Sequence, residues 1–231
     1  MGDKRELTGL IGISMSGNLL PTQLIYAGKT NKCHPNINFP AAWNITHTDS
    51  HWSTEKSMLE YVDKVLQPYF SNQRRLLGLQ EDHRGLLVLD VFAAHRGELF
   101  LQALDRIGVS VRFVPASCTS DLQPLDVAVN DVIKKKLKSK FSEFYAKKVQ
   151  VALTNGENIE NVKIDLSTSN MKIVNARWLV SVMIDISHQH DLIKSAFQLA
   201  GISDAVKDVL PQVEEQNIER PGIFDVLMAK K

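Results

Sequence analysis

The chain has 231 residues, 44% hydrophobic and 23% charged, with a formal charge of +1, which fits an ordinary globular protein with room for a real core. Such a balance excludes a general polycation, so any affinity for nucleic acid must come from a local patch. Cys33 and Cys118 are far apart and form no C-x-x-C pair, which excludes a disulfide scaffold and a cysteine-rich zinc site and fits a reducing compartment.

The opening MGDKRELT is charged and lacks the apolar core of a secretory leader, and Glu6 stands where a myristoylation signal wants Ser or Thr. No apolar run approaches the ~20 residues that a membrane helix needs. A nuclear or cytosolic protein is expected. LTGLIGISMSGNLLPTQLIYAG reads as two strands, Leu7 to Ser14 and Thr22 to Ala27, joined by a turn at Ser16-Gly17-Asn18. Lys29 to Ser50 has no sustained periodicity and reads as a loop-rich insertion held down by Phe39 and Trp43. STEKSMLEYVDKVLQPYF predicts a helix capped by Ser53 or Thr54, with Met58, Val62, Val65, Leu66 and Tyr69 on one face. A polar stretch follows, then the apolar run Leu86 to Leu89, which ends at Asp90.

Glu98 to Ile107 has helical spacing and is closed by Gly108, and VSVRFVP is a short strand stopped by Pro115. Pro124 suits the first turn of a long helix whose apolar stripe runs through Val129, Ile133, Leu137, Phe141, Phe144 and Tyr145. LTNGENIEN is a polar break. Asn170 to His188 and Leu192 to Ala200 predict two further helices, the first anchored by Trp178. The order is hairpin, helix, strand, helix, strand, long helix and helical extension. It predicts an α/β fold with a mixed sheet flanked by helices, divided into a domain over 1–150 and a mainly helical extension over 151–231.

An aspartate at a strand end is commonly a turn former, because its carboxylate accepts nearby backbone N–H groups. It is also where α/β sheets mount their chemistry. Asp126, at the start of the long helix, offers a second carboxylate that the intervening helix-strand unit can bring to the same sheet edge. Such a pair can hold divalent metal.

LLVLDVFAAH and VRFVPASCTSDLQPLDVAVN resemble the second and third acidic motifs of the DDE superfamily endonucleases, in the branch with pogo-type transposases, Jerky and centromere protein B. The family's aspartate-to-histidine segment is matched from Asp90 to His95, and its Thr-Ser-x-Leu-Gln-Pro-Leu-Asp motif from Thr119 to Asp126. KRELTGLIGISMSGNLLPTQLIYAGK, HWSTEKSMLEYVDKVLQPYF, NARWLVSVMI and AFQLAGI are similar to further family segments, so the resemblance runs along most of the chain. It implies a ribonuclease H-like fold, DNA as partner, and catalysis by three carboxylates holding two ions of Mg2+ or Mn2+, with Asp90 and Asp126 as catalytic metal ligands.

The family's first aspartate lies upstream of the KRELTGLIGI match, and Asp3 has no aliphatic strand around it. The expectation is therefore an N-terminally truncated domain without its first strand and catalytically incomplete. Val91 and Ala93-Ala94 replace the Asn and Pro-Ser of relatives, removing side chains that can support a metal-bound water or a phosphate. Lys134, Lys135, Lys136, Lys138 and Lys140 on the long helix are candidate phosphate contacts, or else an ordinary solvated face. His188 and His190, two positions apart, do not share a helical face and read as a solvated pair. Three readings follow: a transposase-derived domain that binds nucleic acid without cutting it, a protein-interaction module, and a fragment of an active nuclease.

Overall fold

The computed structural model describes residues 7–209 and the strand at 226–230. Asp3 and the tail at 210–225 lie outside the described residues. β1 (Leu7–Ser14) and β2 (Gln23–Ala27) form the expected antiparallel hairpin, in register from Leu7 opposite Tyr26 to Leu10 opposite Gln23. The turn between them places Gly17 at φ +96°, a conformation open to glycine because it carries no Cβ.

The insertion departs from expectation. It contains β3 (Asn44–Thr48), which runs parallel to β2 along the sheet edge. Periodicity missed it because its buried positions are polar, namely Asn44 and Thr46. Asn44 is satisfied by remote partners: its amide donates to Gln23 Oε1, and Lys64 Nζ donates to its Oδ1 at 3.0 Å. Phe39 and Trp43 do meet, with ring centroids 6.3 Å apart.

α1 (Glu55–Tyr61) starts at Thr54, whose hydroxyl accepts from Ser57 N while Ser57 Oγ accepts from Thr54 N. This reciprocal pair satisfies two donors left open at a helix start. A wide turn over Val62–Leu66, in which Gln67 N–H reaches back to Val62 O, leads into α2 (Gln67–Leu76). The widening lies immediately before Pro68, which has no N–H to donate. β4 (Gly85–Leu89), α3 (Glu98–Arg106) and β5 (Val109–Phe113) form a unit whose two strands are parallel.

The short α4 (Thr119–Leu122) precedes a second wide turn at Leu125–Val129, which opens α5 (Asn130–Thr154). α6 (Thr168–Ser187), α7 (His190–Leu199) and α8 (Ile202–Val209) follow. β6 (Val226–Lys230) completes a six-stranded mixed sheet in the order β3-β2-β1-β6-β4-β5.

β6 lies in the middle of this sheet, between β1, to which it is antiparallel, and β4, to which it is parallel. A strand from the far end of the sequence satisfies the hydrogen bonds that a gap would leave open.

The period of two along a strand sorts the core into two layers. Leu10, Leu87 and Leu89 pack with Tyr61, Leu66, Phe70, Phe100 and Leu104 of α1, α2, α3 and the wide turn between. Ile13 and Val88 pack with Leu125, Val129, Ile133, Met183, Ile186 and Phe197 on the other side. The helices after residue 150 therefore share a core with the sheet. The apolar stripe of α5 is only partly buried. Ile133 is buried and Leu137 packs on the core, but Phe141 and Tyr145 are 39% and 45% exposed. Beyond Leu137 the helix rests on α6, where Phe144 and Trp178 pack edge to face at 5.5 Å.

Candidate functional site

The strand alternation that buries Leu87 and Leu89 under α1 and α3 turns Leu86 and Val88 toward α5. Asp90 comes next on that second face, just beyond the end of β4. It reaches the side of the sheet where the wide turn carries Asp126. Both aspartates line one cavity of about 730 Å³, whose walls include Ile11, His51, Asn130, Lys134 and Trp178. The two carboxylates do share a notch, as the strand and helix topology predicts.

Asp90 combines both roles considered for it. Its Oδ1 accepts from Phe92 N at 3.1 Å, the bond of a turn-forming aspartate. The same oxygen lies 2.6 Å from His95 Nδ1. His95 is fully buried, while the Asp90 side chain is 13% exposed. The short turn Ala93–Arg96 brings the imidazole back under the carboxylate, and His95 N donates to Phe92 O at 2.9 Å. Asp90 is thus anchored from beneath with an edge toward the cavity.

Asp126 sits on the wide turn. There Asn130 N–H bonds Leu125 O, five residues back. Such turns bulge a helix and recur at functional sites. Asn130 Nδ2 donates to Asp126 Oδ1 at 2.9 Å, one turn along the same face. Gln123, three residues before Asp126, is fully buried, and among the described residues neither atom of its amide has a hydrogen-bond partner. His95 Nε2 is in the same condition. Buried polar atoms left unsatisfied are uncommon and costly, and here two such groups lie in the segments that carry the acid pair.

Of the five candidate lysines, Lys134 lines the acid cavity. Lys135 is held by Asp131 at 2.7 Å, and Lys136 reaches Asp185 of α6 at 3.5 Å. Lys134 and Lys138 are exposed and Lys140 is half-buried. His188 and His190 are exposed, and His190 Nδ1 donates to Gly17 O at 2.9 Å, fastening α7 to the β1–β2 turn. Asp121 and Glu98 do not reach the cavity wall.

Sequence reasoning missed Asn130 and His51 as cavity residues, and it assigned His95 no partner. The four-residue step from Asp126 could have flagged Asn130. His51 carries no such signal, because its place depends on a φ of +60° in the loop after β3.

For the metal implied by the family, the donor set is short. Asp90 and Asp126 are the acids on the cavity wall, beside the Asn130 amide and the Lys134 ammonium. Among the described residues the pair belongs to no three-ligand cluster of His, Cys, Asp and Glu. Two-metal phosphoryl transfer requires ligands to fix both ions, and these residues do not fit that pair.

A family model described as DDE superfamily endonuclease matches residues 4–197. Endonucleases of this superfamily generally depend on divalent metal. The human protein "Pogo transposable element with ZNF domain" is 24% identical over 193 residues, 84% of this chain and 12% of that protein. The human "Pogo transposable element with KRAB domain" is 25% identical over 142 residues, 62% of this chain and 22% of the relative. The mouse protein of that name is likewise 25% identical over 142 residues. The chain therefore spans less than a quarter of each relative's length. No solved structure matches it. Together with a mixed sheet flanked by helices, the match over 4–197 shows that this chain belongs to the DDE superfamily endonucleases.

Proposed function

We propose that the chain is a transposase-derived, nuclear nucleic-acid-binding domain that holds DNA by its backbone and does not cut it alone. The supporting observation is the position of Lys134, exposed on α5 and lining the same cavity as Asp90 and Asp126. Lys138 follows one helical turn later on the same face, while Lys140, two positions on, faces another way. An ammonium row beside a notch attracts phosphates without reading bases, so binding is salt-sensitive and tolerant of sequence. Asp90 and Asp126 keep the positions of metal ligands, and one Mg2+ or Mn2+ ion bound there would help to offset their charge near a phosphate. In this reading residues 1–150 carry the binding surface, and the helices that follow support it from the shared core.

The deciding measurement is fluorescence anisotropy with a random duplex at several salt concentrations. Non-specific binding in the range of roughly 10⁻⁴ to 10⁻⁶ M is expected, with log affinity falling linearly against log salt. Replacing Lys134, Lys138 and Lys140 with Gln should weaken binding and flatten that slope. Lys135 and Lys136, paired with Asp131 and Asp185, should matter less. A triple variant that binds like the parent removes the DNA role. The exposed aromatic rings Phe141 and Tyr145 on α5 would then favour the interaction-module reading.

A further inference from the structure

At the β3 edge of the sheet, Cys33, His34 and His47 converge. Cys33 ends a short turn over Asn31–Cys33, His34 follows it, and His47 lies on β3 opposite Tyr26. One ligand atom from each (a sulfur and two imidazole nitrogens) lies within 4.8 Å of both others. All three residues are half-buried, hence held in place yet reachable from solvent. The approach is built into the backbone. Gly28 sits at φ +152°, and a Cβ there would stand 2.4 Å from Cys33 Cβ. Only glycine lets the cysteine lie against the end of β2.

The geometry points to a zinc site formed by Cys33 Sγ, His34 Nε2 and His47 Nδ1, with a fourth position open to water or another small ligand. Zinc takes thiolate and imidazole ligands in tetrahedral array. Two nitrogens at its usual bond length of about 2.0–2.1 Å stand roughly 3.3 Å apart. His34 Nε2 and His47 Nδ1 are 3.2 Å apart. Without metal, that spacing serves as a hydrogen bond sharing one proton, which the ion would displace. Their rings lie 5.2 Å apart at 58°, so they are not stacked face to face.

Burial, then the neighbouring His47, hold the His34 pKa below its ordinary value, with Lys172 adding to the effect, while a hydrogen bond to the Thr46 backbone acts the other way. Lys172 opposes a divalent ion. From α6 it lines a cavity with Cys33 and His34, with its ammonium 5.5 Å from the Tyr26 ring centre. Bound zinc would tie the edge strand β3 to the otherwise irregular segment before it, which holds its place by few regular backbone bonds.

The test uses the full chain and zinc chloride. Cys33 and Cys118 are both free and half-buried, so their alkylation rates can be compared within one sample. Zinc should slow iodoacetamide at Cys33 at least tenfold and leave Cys118 unchanged, with peptide mapping as readout. Titration should reach one ion per chain. His47→Gln should weaken zinc binding at least tenfold, and Lys172→Met should tighten it. Equal protection of both cysteines, or none at Cys33, overturns the site, as does a His47→Gln chain that still folds and binds zinc like the parent. Because protection is read on the unaltered chain, a variant that fails to fold cannot obscure the answer.

Discussion

The two clusters on this sheet contrast in what they keep. At the end of β4 a recognisable acid pair persists that belongs to no three-ligand cluster among the described residues. At the β2–β3 edge three ligand atoms converge in a segment whose sequence carries no familiar motif. A motif reports descent, because strand end and helix start are placed by the fold's period and topology. Chemistry depends on which donors finally meet. The first cluster was legible from its motif, and the second, proposed above as a zinc site, carries no motif by which to read it.

The largest effect that would break this contrast is DNA cleavage. With Mg2+ or Mn2+ the purified chain should leave supercoiled plasmid intact, since two carboxylates do not fix two ions for in-line displacement. Nicking that disappears in Asp90→Asn would show a complete site at β4 and reverse the comparison.

A smaller effect concerns what Asp90 contributes now. Carboxylates kept for metal alone often strain a fold, and their removal then stabilises it. Asp90 is instead bonded to the buried His95 at 2.6 Å. Asp90→Asn should therefore lower stability, by about 1.5–3 kcal/mol as for hydrogen bonds to charged groups. His95→Ala, which also empties a packed site, should cost at least as much. Urea denaturation of both variants measures this. A stabilised Asp90→Asn would mean that repulsion within the notch outweighs the histidine anchor.

The smallest effect is a pH dependence at the other cluster. The His34 pKa is lower in the folded chain than its ordinary 6.5, so the unfolded chain binds more protons between the two values. Stability from this group is fully present above about 6.5 and is lost as pH falls through the lowered value. Thermal unfolding scans should show a modest fall in Tm on that acid side, reduced in His34→Asn. A His34→Asn chain with the same acid-side slope as the parent would leave the slope to other groups.

Much of the fold was legible because its signals are local. The alternation around Leu86 to Leu89, the Thr54 start of α1 and Pro124 before α5 each act within a few residues. The parts that were not legible depend on distant partners. β3 can bury a polar Asn44 because Gln23 and Lys64 supply its hydrogen bonds. The apolar stripe of α5 promised more burial than it receives, since α6 covers only one side of its far half. In the acid site, both aspartates could be placed from strand and helix ends. The His95 contact required knowing that the chain turns back through Ala93–Arg96. The cysteine and two histidines lay in plain view, but their convergence requires β3 and the cramped turn at Gly28.

The position of β6 has a consequence for how the molecule is made. Its backbone pairs Lys230 with Ile11 and Ala229 with Leu89, so the middle of the sheet joins opposite ends of the sequence. On the ribosome, β1 to β3 and β4 to β5 emerge as two partial sheets that this strand cannot yet join. Closing so long a loop carries a large entropic cost and slows folding. Until β6 pairs, the edges of β1 and β4 that it covers are places where pairing with other chains, or capture by a chaperone, competes with closure of the sheet.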